Sequence, residues 1–325
     1  MKGDYIRRKV PFLYQLFLLF MEKQADNKLI GEHVSFGELH PDKTFFLIRI
    51  NNHGLGLLGV YNCVLGYLRI AEKFNYIPIV DLKNYANGYL YKDEIGKKNS
   101  WEYYFEQPSK YCLDEVYQSK HVVLASGVNP REASPIILRH YYLLYPKNRS
   151  ELYYRIIRDQ LKLKMDIKHQ IDNEFNQIIK GKRVLGIVKR GSDMINCKGH
   201  AIQPDIKDLI AKASYSMTKW NCDFLFLASE ETIAVDEFKK IFGDKLLTNQ
   251  SARINEYIEK KAYTDISFNR ENDKYLKGLE YLTTVVLLSR CTCLIGSLVG
   301  ATAGALGMNG GRYENTYIYD LGEYK

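Results

Sequence analysis

No Cys-x-x-Cys pair occurs in the 325 residues, and no group of Cys and His has zinc-ligand spacing. That excludes the common structural zinc modules. The six cysteines are Cys63, Cys112, Cys197, Cys222, Cys291 and Cys293. All are expected to be buried free thiols in a reducing compartment, with Cys291 and Cys293 on one face of a strand. No apolar run reaches the ~20 residues that cross a bilayer. The nearest, Phe12 to Met21, follows the basic Arg7-Arg8-Lys9 and leads into Glu22-Lys23-Gln24. A secretory cleavage site would need small residues there. Two expectations remain for this segment: a helix docked on the body of the protein, or a basic and apolar segment resting on a membrane surface. Internal repeats and low-complexity tracts are missing too. The sequons at Asn148 and Asn249 carry weight only in a secreted chain.

Charge of one sign is in modest excess, +8 overall, yet no helix or stripe concentrates it. This argues against a nucleic-acid reader. It favours an anionic partner such as a diphosphate, an acidic glycan or a membrane surface. Hydrophobic residues at 46% and charged residues at 26% are ordinary for a soluble globular protein, and the length suits two domains. Tyrosine stands out, with 26 residues. Its apolar ring and polar tip suit carbohydrate surfaces and half-buried positions equally.

The order of elements is clearer. Residues 44–50 read as a strand, Asn51 to Gly56 as a turn-rich loop, Leu57 to Phe74 as a buried helix and Tyr76 to Asp81 as a strand. Together they make a βαβ unit and imply a parallel sheet. Residues 83–150 alternate polar segments with short apolar runs such as Val122-Val123-Leu124, and read as irregular loops and helices. Residues 151–180 carry a helical pattern connecting the two domains. From Lys182 the alternation resumes. Strands are predicted at 183–188, 224–228, 292–295 and 317–320, and helices at 206–219, 232–242 and 276–290, with Gly243 as a C-cap. The result is an α/β protein with an N-terminal domain over 1–160 and a doubly wound domain over 161–325.

In open α/β sheets the ligand sits beyond the C-terminal strand ends. Four segments lie there: Asn51–Gly56, Lys189–Pro204, Ser229–Glu231 and Gly296–Thr302. Lys189-Arg190-Gly191-Ser192-Asp193 follows a buried strand and gathers two cations, a glycine and a hydroxyl. A guanidinium there fits phosphate oxygens in a rigid fork. A loop-pinning Arg–Asp pair is the structural alternative.

Three successive segments, Arg190-Gly191-Ser192-Asp193, Gly199 to Pro204 and Phe226 to Glu231, resemble motifs of the α1,6-fucosyltransferase and protein O-fucosyltransferase superfamily. Cys293 to Ser297 with its small-residue continuation, and Gly54-Leu55-Gly56, are similar to that family's final phosphate-facing loop and its first glycine loop. The resemblance runs from about residue 45 to the end. It implies a GT-B-like arrangement, two Rossmann-like domains facing across a cleft. It also implies an inverting glycosyltransferase that moves fucose from a GDP-sugar to a glycan acceptor. On this resemblance the donor would be held by Gly54, Gly56, Lys189, Arg190, Ser192, Ser229, Glu230, Ser297 and Gly300. Arg190, Asp193 and His200 are the candidate catalytic residues, with Glu230 a further candidate base. The family's acidic base after the arginine motif has no counterpart in Met194 to Lys198. Glu280 is weighed as a base-reading acceptor against a solvated helix face.

No Asp-x-Asp motif is present, so no metal or cofactor is expected, and protein cations would meet the leaving group's charge. The basic N-terminus suits a cytoplasmic bacterial enzyme of surface polysaccharide synthesis, peripheral at the inner membrane face, with a lipid-linked glycan as acceptor. Three alternatives stand beside this reading: another donor such as GDP-mannose or a UDP-sugar, a catalytically silent binding protein of the same fold, and, last, an NAD-dependent oxidoreductase. For the last, neither glycine loop is read as a G-x-G-x-x-G fingerprint with its ribose-binding acid.

Overall fold

The computed structural model describes residues 10, 12, 13, 16, 20, 26–50, 54–128, 147–191, 200–255 and 265–324. The chain divides into two compact units, residues 1–53 with 59–164, and residues 54–58 with 165–325. Both are α/β with mainly parallel sheets.

In the first unit the strands are β1 (Ile30–Val34), β2 (Leu39–Arg49), β3 (Ile77–Asp81) and β4 (Ser119–Ala125), in the order β1-β4-β2-β3. β2 pairs in parallel with both β3 and β4, while β1 runs antiparallel along β4. Phe45 to Ile48 of β2 are wholly buried, as a parallel strand covered on both faces must be. Helix α1 (Leu57–Lys73) crosses over from β2 to β3 and is buried along most of its length. The βαβ unit is therefore as the sequence predicts.

The segment between β3 and β4 contains two 3₁₀ turns and the short helix α2 (Leu113–Val116). Its core is aromatic: Trp101, Tyr104 and Phe105 are fully buried, with Trp101 stacked on Phe105 at 4.4 Å. Tyr61 and Tyr67 of α1 are equally buried. Part of the tyrosine excess is thus core, spent on packing and not on a carbohydrate surface.

Where one connecting helix is expected over 151–180, two form: α3 (Lys147–Gln160) and α4 (Met165–Ile178). Neither Pro nor Gly causes the break. Leu163 forms a bridge with Phe105, and Lys164 N–H donates to the Tyr104 carbonyl at 3.0 Å, so tertiary contacts capture the backbone there.

The second unit carries β5 (Val184–Val188), α5 (Ile206–Lys219), β6 (Phe224–Ala228), α6 (Thr232–Phe242), β7 (Leu246–Leu247), α7 (Asp273–Ser289), β8 (Cys293–Ser297), α8 (Gly300–Asn309) and β9 (Asn315–Tyr319). The sheet order β7-β6-β5-β8-β9 is parallel throughout. The order reverses beside β5, which makes the gap between β5 and β8 the switch point where open sheets bind ligands. β5 and β8 are buried at every residue. Asp205 caps α5 by accepting from Lys207 N–H at 2.8 Å. Gly243 ends α6 at φ 53°, a conformation that favours glycine.

Two cysteine expectations are corrected. Cys112 is exposed, at the start of α2. Cys291 precedes β8 in a turn, so it does not share a strand face with Cys293, although both are buried. Cys197 lies outside the described residues. At the N-terminus, Phe12, Leu13, Leu16 and Phe20 are exposed. Among the described residues no helix is long and apolar enough to cross a membrane.

Candidate functional site

At the switch point of the second unit a pocket opens. Its floor is the C-terminal end of β5, Val188-Lys189-Arg190, beside that of β6, Ala228-Ser229-Glu230. The far wall is α7, through Glu280, Tyr281 and Thr284, with Ser251 and Ala252 from the loop before it and Ala301 from the first turn of α8.

The two cations are fixed by carboxylates from the neighbouring strand end. Arg190 pairs with Glu230, their side chains 13% and 14% exposed. Lys189 Nζ lies 3.2 Å from Glu231 and donates to the Arg190 carbonyl at 2.8 Å. Burial beside these carboxylates leaves guanidinium and ammonium donors in place with little freedom to lose on binding. α8 begins without a side-chain cap. Its first-turn N–H groups and positive dipole end lie at the same rim as Ala301, which suits an anion.

The α7 wall is held by an ion network. Arg270 makes a two-pronged pair with Glu280 and donates through Nε to Asp273 at 2.8 Å. Lys277 donates to the Ile266 carbonyl at 2.6 Å and lies 3.4 Å from Asp273. Burial pushes the Asp273 carboxyl up, but hydrogen bonds from Arg270 and Phe268 N–H and the Lys277 charge outweigh it and hold the group below the ordinary Asp value. Glu280 in turn accepts from Ala252 N–H at 3.2 Å, which ties the loop to the helix. Asn249 donates to Thr284 Oγ1 at 2.9 Å and is buried, so its sequon is not a surface acceptor. The expectation of a solvated face for Glu280 is therefore corrected: it is a paired wall residue.

The predicted residues divide into three groups. Lys189, Arg190, Ser229 and Glu230 line one pocket. Ser229 also accepts from Glu231 N–H at 3.2 Å, at the start of α6. Ser297 and His200 are at the same strand-end region but are not among the lining residues. Ser297 is fully buried and donates to Gln203 at 2.6 Å, and His200 is tied through its carbonyl to Tyr324 N–H at 3.0 Å. Gly300 is the exposed first residue of α8. Ser192 and Asp193 lie outside the described residues. Gly56 does not adopt positive φ, and a Cβ at this position would meet no atom within 4 Å, so backbone strain does not demand glycine there. Gly54 is exposed.

Two features escaped sequence reasoning. The wall residues Ser251, Ala252, Tyr281 and Thr284 come from far along the chain. Their one signal is polar residues at i and i+4 in an otherwise apolar helix. Separately, Gly54-Leu55-Gly56-Leu57-Leu58-Gly59 does have G-x-G-x-x-G spacing, and Asp81 ends the next strand. The structure removes Asp81 from ribose binding. Its Oδ1 accepts from the N–H groups of Lys83 (2.9 Å) and Asn84 (3.1 Å), and its Oδ2 from Asn84 Nδ2 (2.9 Å) and Tyr117 Oη (2.6 Å). All four acceptor positions of that carboxylate are filled.

No protein-family model and no curated protein matches the chain. Among solved structures, ligand-free POFUT1 matches with a TM-score of 0.50 at 10% identity, over 86% of this chain and 98% of that one. POFUT1 in complex with GDP-fucose gives 0.47 at 9% identity, over 85% and 98%. NodZ α-1,6-fucosyltransferase soaked with GDP-fucose gives 0.48 at 14% identity, over 81% and 92%. The likeness to ligand-free POFUT1 is one of fold.

Proposed function

We propose that this chain is a glycosyltransferase whose second unit binds GDP-fucose and transfers the fucose to a glycan acceptor. The observation that carries the reading is the pairing of Lys189 and Arg190 with the uncapped start of α8 around one switch-point pocket. Such a pocket fits a diphosphate. The fold shared with POFUT1, a protein crystallised with GDP-fucose, supports fucose and guanosine over other donors.

In this reading the departing GDP gathers negative charge that Arg190, with Lys189, stabilises without a metal ion. An anion entering the pocket takes over part of the Arg190 charge now shared with Glu230. The transfer is a single inverting displacement, in which the acceptor oxygen bonds to the sugar carbon as the diphosphate leaves and a general base takes the acceptor proton. Asp193, His200 and Glu230 are the candidates for that base. Gly54 and Gly56 would let backbone approach the donor phosphates, Ser192 would add a hydroxyl, and Ser297 and Gly300 would shape the α8 rim. The exposed apolar side chains of Phe12, Leu13, Leu16 and Phe20, beside basic residues, support peripheral contact with the inner membrane face. A lipid-linked precursor of surface polysaccharide would be found there.

Release of GDP from GDP-fucose, with and without a pool of bacterial glycan acceptors, tests the activity. Wild type should release GDP, and Arg190→Ala should be slower by at least about a hundredfold, the scale of one lost transition-state charge contact. Release that is equal in both proteins would return the chain to the silent-scaffold reading.

A further inference from the structure

The first unit has its own switch point. β3 lies on one side of β2 and β4 on the other, so the chain reverses direction beside β2, and ligands of such sheets gather at that rim. Arg49 is the last residue of β2 and stands at this rim, in register with Asp81. It is half-buried.

Its surroundings differ from those of six other arginines. Arg69, Arg155, Arg183, Arg190, Arg270 and Arg290 each pair with a carboxylate. Arg49 has none among the described residues. Its Nη1 donates to Tyr85 Oη at 3.0 Å, and its guanidinium carbon lies 5.8 Å from the centre of the Tyr85 ring, within cation–π range. The carboxylate nearest in register, Asp81, is filled by its four donors, two of which come from Asn84 beside Tyr85. So Asp81 builds the loop that presents Tyr85 and makes no ion pair with Arg49. A half-buried guanidinium with most of its donors uncommitted is poised for an anion. Tyr85 beside it supplies a ring face, one of the groups that hold a sugar ring.

We propose that Arg49, with Tyr85, is the recognition point for an anionic sugar on the first unit, so that the acceptor carries a carboxylate or phosphate. Only the word acceptor rests on the glycosyltransferase reading; the anion site itself is argued from this unit alone.

The test uses the full chain and saturation-transfer NMR with three probes: methyl β-glucuronide, glucose 6-phosphate and methyl β-glucoside. GDP affinity is measured separately by calorimetry. At least one anionic sugar should bind about tenfold more tightly than the neutral one, the loss expected for one charge-assisted contact. Whichever anion prevails identifies the charged group. Arg49→Gln should abolish that preference while leaving GDP affinity within about twofold, and Arg49→Lys, keeping charge without the fork, should retain part of it. Equal binding of all three sugars by wild type, or an undiminished preference in Arg49→Gln, would overturn the proposal. A tenfold loss of GDP affinity in Arg49→Gln would overturn it too, by assigning Arg49 to the donor. Failure of wild type to bind GDP would instead count against the proposed function, and the sugar results would still decide the role of Arg49.

Discussion

Single residues show how closely the second unit is packed around its strand ends. A Cβ on Gly296 would lie 2.4 Å from Thr302 Oγ1 and 2.9 Å from its Cγ2. Thr302 is a buried, branched residue of α8 with little rotamer freedom. Gly296→Ala should therefore destabilise the protein by about 1–3 kcal/mol, the usual cost of overpacking. Gly296→Ala with Thr302→Ala should recover most of it in a denaturant titration. A single variant as stable as wild type would show that β8 and α8 are less tightly apposed. Glu174 on α4 offers the opposite case. Burial and the nearby Glu280 raise its carboxyl above the ordinary Glu value, and its Oε2 has no partner among the described residues. A raised carboxyl favours the folded state below its unfolded value, and this contribution is lost as pH rises through the folded one. Glu174→Gln should thus raise Tm at pH 7 and leave it unchanged near pH 4; a lower Tm at pH 7 would contradict the assignment.

At the scale of elements, what could be read from sequence followed burial. β5, β6 and β8 are short apolar runs, and α5 and α6 have apolar and polar faces, so all five were legible. β1 (Ile30–Val34) carries Gly, Glu and His and has an exposed face, and β4 opens on Ser-Lys-His. The strand character of β1 lies in its pairing with β4, which no local pattern records. The site divides in the same way. Lys189 and Arg190 were legible because a strand end predicts its own loop, whereas Glu280 and Thr284 join the pocket only through the packing of α7. Ser297 looked like a ligand-facing hydroxyl until its bond to Gln203 placed it inside the fold. The α7 network makes a prediction of its own. Arg270→Met would release Glu280 and, through Ala252, the loop that closes the wall. GDP affinity should fall several-fold and the denaturant midpoint should shift lower, whereas an unchanged affinity would remove this wall from the nucleoside site.

For the whole molecule, each unit has a buried, paired aspartate whose carboxyl stays below its ordinary value. Asp273 serves the second unit as described. In the first, burial raises Asp26, but hydrogen bonds and charge from Arg69 and Lys73 more than compensate. Depressed carboxyls stabilise the fold above their unfolded value, and that stability is lost as pH falls through the folded value. Tm should drop below about pH 4. Asp26→Asn should lower Tm at neutral pH and flatten the acid limb. An acid limb identical to wild type would place the sensitivity elsewhere.

Calorimetric titration of the purified chain with GDP, UDP and NAD, in EDTA and beside Arg190→Ala, addresses the central claim most directly. The account predicts micromolar GDP binding without added metal, at least tenfold weaker in Arg190→Ala in keeping with one lost charge-assisted contact, and no comparable binding of UDP or NAD. Equal binding of all three, binding of none, or GDP binding indifferent to Arg190 would contradict it.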